Sequence, residues 1–98
     1  MAKAIIPPSS VTSPRLHWSL ITVLEADRDG VALAIGRWDN DPCLAMRWNG
    51  SAHNPIGNPQ SRGLPTWYII PHWADDAILG LLTPNKQTLA RTFIPKSA

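Results

Sequence analysis

His72 stands three and four residues ahead of Asp75 and Asp76, which puts an imidazole and two carboxylates on one side of a helix start. Such a set is able to pass a proton between acid and base, or to offer nitrogen and oxygen ligands to a metal ion. Helix physics accounts for the same residues without chemistry, because carboxylates in a first turn are stabilised by the helix dipole. His17 and His53 fall into no comparable pattern. The chain has no phosphate-cradling glycine loop with lysine, no HExxH, no GxSxG and no CxxC. The expectation is therefore a non-enzymatic protein with no catalytic residue, metal or cofactor. A metal-dependent or acid–base enzyme at His72, Asp75 and Asp76 is the third reading.

A second chemistry is offered by Arg37-Trp38 and Arg47-Trp48, the same dipeptide ten residues apart. Interleaved arginine and tryptophan suit single-stranded nucleic acid, the rings stacking on bases and the guanidinium groups meeting phosphates. Neighbours on a strand point to opposite faces, however, so the two pairs do not form one platform. The basic residues are scattered rather than clustered. Nucleic-acid binding is kept as the alternative function.

The stretch that points most directly to a contact surface is the connection over 49–65, which contains NPIGNPQSRGLP. Connections longer than roughly 12–15 residues are uncommon in compact domains unless they are functional. Asn54-Pro55-Ile56-Gly57 and Asn58-Pro59-Gln60-Ser61 each begin Asn-Pro, the preference of a type I turn. The prolines reduce the entropy lost on ordering the segment. The loop is expected to hold one shape, either as a lid on the core or as a contact surface that presents His53, Asn58, Gln60, Ser61 and Arg62, with Trp38, Arg47 and Trp67 close by. Arg62 sits between small residues, from which its guanidinium can meet a carboxylate or phosphate in bidentate geometry.

The elements that position these groups follow from pattern. Residues 16–25, 31–38 and 43–48 read as three strands of a β-meander, with turns at Asp27–Gly30 and Asp39–Pro42. A fourth strand covers 67–70. Apolar residues at Trp73, Ala74, Ala77, Ile78, Leu81 and Leu82 share a helical face over 72–82, and residues 86–94 are read as a fifth strand, with a short helix as the alternative. The fold class is α+β: a four- to five-stranded antiparallel sheet with one C-terminal helix packed on one face. Residues 1–14 are expected to form a mobile tail and 15–95 a single domain.

With a turn at Asn40-Asp41, Leu33 faces Trp48, Ile35 faces Met46 and Arg37 faces Leu44. One sheet face then carries Val31, Leu33, Ile35, Leu44, Met46 and Trp48. The other carries Ala32, Ala34, Gly36, Trp38, Cys43, Ala45 and Arg47. Neither is polar, although antiparallel sheets usually leave one face to water. A protein partner or a second copy of the chain is expected to cover the second face; the alternative is that the long loop and the two termini fold over it. Of five tryptophans, Trp48 and Trp73 are expected in the core, and Trp38 and Trp67 at a rim or interface.

Composition sets the outer limits. Ninety-eight residues make one domain, and the net charge of +2 argues for no strongly anionic partner. Cys43 is the sole cysteine, so no intrachain disulfide forms. The apolar run before Pro7 and Pro8 is too short for a signal peptide, and no segment approaches a membrane span. The expected protein is cytoplasmic and acts through protein–protein contact or as a homodimer, without a membrane partner.

Overall fold

The computed structural model describes residues 5–96. Three long strands form the meander: β1 (Trp18–Arg28), β2 (Val31–Trp38) and β3 (Asp41–Trp48). Two-residue turns join them, Asp29-Gly30 and Asp39-Asn40, with φ positive at all four positions. This is the pattern of a type I′ turn, whose twist matches that of the strands it connects, and Asp, Asn and Gly tolerate it best. A short hairpin of β4 (Gln60–Ser61) and β5 (Leu64–Pro65) follows, then β6 (Tyr68–Ile69), which pairs with β3. The main sheet is antiparallel in the order β1-β2-β3-β6. A 3₁₀ turn (His72–Ala74), helix α1 (Asp75–Leu79) and helix α2 (Pro84–Arg91) complete an α+β fold with an N-terminal meander.

The sequence-predicted register of the second hairpin is two residues off. The turn at Asp39-Asn40 sets Leu33 against Met46, Ile35 against Leu44 and Val31 against Trp48. A slip of two leaves every side chain on its face, so the two face compositions stand. In β1, irregularities at Ile21, Leu24 and beyond break the alternation. Trp18, Leu20 and Val23 therefore join one face while Ile21 and Leu24 join the other.

The chain itself packs on both faces. Leu33, Ile35 and Leu44 are buried with Leu79 of α1, Leu82, Ala90 of α2 and Ile94. On the second face, Ala32, Ala34, Cys43 and Ala45 pack with Val11, Trp18 and Trp67. The small residues are what admit the indoles: a Cβ on Gly36 would clash with the Trp18 ring. This overturns the expectation that a partner or second copy covers the second face. Residues 5–14, expected as part of a tail, help to seal it, since Val11 is fully buried and its carbonyl accepts from Trp67 Nε1 (2.7 Å).

The tryptophan assignment is reversed for Trp48, Trp67 and Trp73, while Trp38 is half-buried at the margin of the second cluster. Trp67 is 5% exposed, whereas Trp73 is 85% exposed and Trp48 38%. The helical segment turns Asp75, Leu79 and Leu82 inward, one position round from the expected stripe, and leaves Trp73 and Leu81 in solvent. Residues 84–91 are helix rather than strand. Thr83 occupies the N-cap position and Pro84 the first turn, where its missing N–H forfeits nothing. Among the described residues no helix is long and apolar enough to cross a membrane.

Candidate functional site

Arg47 was expected at a contact surface, and it is buried instead, at 2% exposure. It leaves β3 on the second face and reaches the underside of the 49–65 loop. Its Nη1 donates to the carbonyls of Pro59 (3.2 Å) and Thr66, and its Nη2 donates to that of Ile56. Three carbonyls separated by up to ten residues in sequence are thus gathered on one planar donor fork. Burial lowers the Arg47 pKa from the ordinary guanidinium value. Gly57 permits the approach, because a Cβ there would meet the Trp48 carbonyl and the guanidinium itself.

The rest of the loop is organised around that clip. Trp48 and Asn58 exchange backbone hydrogen bonds of 2.8 and 2.9 Å, and Gly57 N donates to Asn54 O (3.2 Å), closing the first Asn-Pro turn. The second tetrad is not a turn, since Asn58 bridges to Trp48 and Gln60 and Ser61 form β4. Gln60 Nε2 donates to Gly57 O (3.2 Å). His53 is exposed beside Ser51, with its backbone N–H donating to the Ser51 hydroxyl (3.3 Å).

Along the near edge runs an open groove of about 620 Å³ lined by Val31, Met46, Trp48, Asn58, Gln60 and Tyr68, with Arg47 and Pro59 behind. On the same face Val31 and Met46 also line a second cavity with Ile78 of α1, Leu81 and Leu82, while Trp48 and Tyr68 keep an exposed side. Tyr68 is 60% exposed and pairs with Met46 across β3 and β6. No side chain in the lining carries a charge except the buried Arg47. Of the residues expected to bind, the groove brings together Asn58, Gln60 and Arg47. Val31, Met46, Trp48 and Tyr68 were not expected there. The alternation of β3 places Met46 and Trp48 on one face, and that signal went unused because Trp48 was assigned to the core.

The other expected residues lie elsewhere. Ser61 and Arg62 line a separate cleft with residues 13–17. Trp38 is half-buried and stacks on His17 with ring centroids 5.2 Å apart. Trp67 is interior and was misplaced at the rim.

His72 does meet carboxylates, but as a bridge. Its Nδ1 lies 2.8 Å from Asp75 Oδ2 and its Nε2 lies 2.7 Å from Asp41 Oδ2. These hydrogen bonds raise its pKa, Asp41 contributing most. Both ring nitrogens therefore face carboxylates of the chain itself. Asp76 turns away to Arg91 (2.8 Å). Among the described residues no group of three or more histidine, cysteine or acidic side chains is arranged to hold a metal ion. Cys43 is buried, which together with Asp41 pushes its thiol up to about 11 and leaves it a small apolar filler. No family model, no curated protein and no solved structure matches the chain.

Proposed function

We propose that the protein is a small binding module that takes an extended, uncharged segment of a partner protein into the Trp48–Tyr68 groove. The observation that carries this reading is the pairing of two exposed aromatic rings with a rim held in one shape by Arg47. Exposed tryptophan and tyrosine are the residues most often found as anchors of protein contacts. A rim that is already ordered loses little entropy on binding. Aromatic-lined grooves of this openness suit proline-containing extended chains, whose backbone is likewise ordered beforehand. Asn58 and Gln60 add polar amides to the lining.

Self-association is less well supported than it was from sequence, since the face that motivated it is filled by Val11, Trp18 and Trp67. The nucleic-acid alternative loses its residues too. Arg47 is spent on the loop, and Arg37 lies over the Phe93 ring, 5.8 Å from its centroid. The test is selection of peptides from a displayed random library, followed by amide chemical-shift mapping on the labelled protein. The expected result is proline- or aliphatic-rich sequences whose shifts centre on Val31, Met46, Trp48 and Tyr68. Trp48→Ala and Tyr68→Ala should each abolish them at unchanged melting temperature. Shifts mapping elsewhere, or affinity that falls steeply with salt and appears only with oligonucleotides, would overturn it.

A further inference from the structure

Six arginines occur in the chain, and the fold engages four of them. Arg28 donates to Leu81 O (3.2 Å), Arg37 lies on Phe93, Arg47 holds the loop and Arg91 pairs with Asp76. Arg15 and Arg62 have no hydrogen-bond or ion-pair partner among the described residues. Those two line the same cleft, of about 340 Å³, and no carboxylate shares it. The nearest acid in the adjoining cavity, Asp39, is already taken by His17 at 2.8 Å. Two like charges brought to one concave site repel unless an anion joins them.

The walls of the cleft are fixed. Ser13 bridges to Thr66, and the His17 and Trp18 N–H groups both donate to Pro14 O, at 3.2 and 2.8 Å. The opposite wall is the β4–β5 hairpin, whose two-residue turn is Arg62-Gly63. All three such turns among the described residues hold both residues at positive φ. The other two begin with aspartate, as the geometry prefers. The third begins with arginine at φ 53°, a residue that the turn itself does not select. Arginine there lines the cleft together with Arg15.

We infer that Arg15 and Arg62 form an anion site for a phosphate monoester with a compact apolar body. Two donor forks lining one cleft suit a three-oxygen dianion better than a two-oxygen carboxylate. Pro14, Leu16 and Leu64 supply the apolar surface beside them, and both leucines are well exposed. The site is separate from the Trp48–Tyr68 groove, since Gln60 lines the groove and Ser61 and Arg62 line the cleft.

The test is a titration of the full, isotopically labelled chain with phenyl phosphate and with inorganic phosphate at low ionic strength. The arginine Nε–Hε resonances and the backbone of residues 13–17 and 61–66 are followed. Saturable shifts at Arg15 and Arg62, tighter for phenyl phosphate than for the inorganic ion, are expected. Arg62→Asn fits the turn better than the native residue, so its melting temperature should be unchanged or higher while binding weakens about tenfold or more. Arg15→Gln should weaken binding similarly, and Arg28→Gln should not. Absence of saturable shifts, or native affinity in Arg62→Asn, overturns the proposal. Equal affinity for the two probes overturns its apolar half. Saturation by a single-stranded oligonucleotide alone overturns it in favour of a nucleic-acid surface.

Discussion

The two faces of the sheet solve the same problem with different residues. One is lined by aliphatic side chains and packed by α1, Leu82 and α2, with Trp48 left 38% exposed at one end. The other is lined by alanines, Gly36 and Cys43, and is closed by Val11 and the indoles of Trp18 and Trp67, whose rings lie 6.2 Å apart. Small residues accept large flat rings and leave no gap. Bulky residues under two short helices leave a gap at the edge. The difference shows why the open groove is on the face with the larger side chains, and why the face that looked bare is sealed.

Exchanging tryptophans should break that comparison first. Trp67→Ala removes a buried ring and the donor to the Val11 carbonyl. It should cost about 3–5 kcal/mol, read as a loss of more than about 10 °C in melting temperature. Trp73→Ala should change stability by no more than about 0.5 kcal/mol. Equal effects would mean that the two faces are not packed as described. Next is Arg47→Ala, which leaves the Ile56, Pro59 and Thr66 carbonyls without their donor. A loss of about 3 kcal/mol in denaturant unfolding is expected, with new protease cleavage within 50–65. Lysine should not restore it, because a single ammonium lacks the planar fork.

Gly36→Ala sharpens the same contrast at smaller scale. It drives a methyl into the Trp18 ring and should destabilise by about 1–3 kcal/mol, whereas enlarging a residue at the open end, Val31→Ile, should be nearly neutral by the same denaturant assay. The smallest expected effect concerns the latch between β3 and the helices. His72 has a folded-state pKa above its usual 6.5, so its contribution is complete below that value and is lost as pH rises through the folded pKa. Protonated, the ring donates to both Asp41 and Asp75; neutral, it keeps one of the two. The urea midpoint should therefore slip as pH rises above about 6.5, and His72→Gln should flatten that slope. The ring is half exposed, so water screens the effect.

These same places mark how far the sequence could be read. The meander and the composition of both faces were legible because strand alternation survives a two-residue slip in register. The exact turn was not, since Asp39, Asn40 and Asp41 are three successive residues of similar turn chemistry. Tryptophan burial was not legible because Trp18 and Trp67 are decided by Gly36 and by a segment 56 residues away from Trp67, which no local pattern encodes. The helix at 84–91 was signalled by Thr83-Pro84, a start that weak periodicity after it concealed. That the 49–65 loop is ordered was legible from its prolines. That Arg47 does the ordering was not, because one strand residue serves carbonyls drawn from three parts of a loop.

The Arg47 clip also ties the loop to the sheet as one cooperative unit. Loops commonly open on their own, far below the free energy of global unfolding. Here the carbonyls of Ile56, Pro59 and Thr66 are released only when a buried side chain of a central strand lets go. Amides anchored on this frame, those of Gly57, Asn58 and Thr66, should exchange with solvent almost as slowly as those of β2 and β3. Occupancy of the groove would then register as slower exchange across the whole sheet, because a ligand that holds the rim also holds the strand on which the rim is pinned.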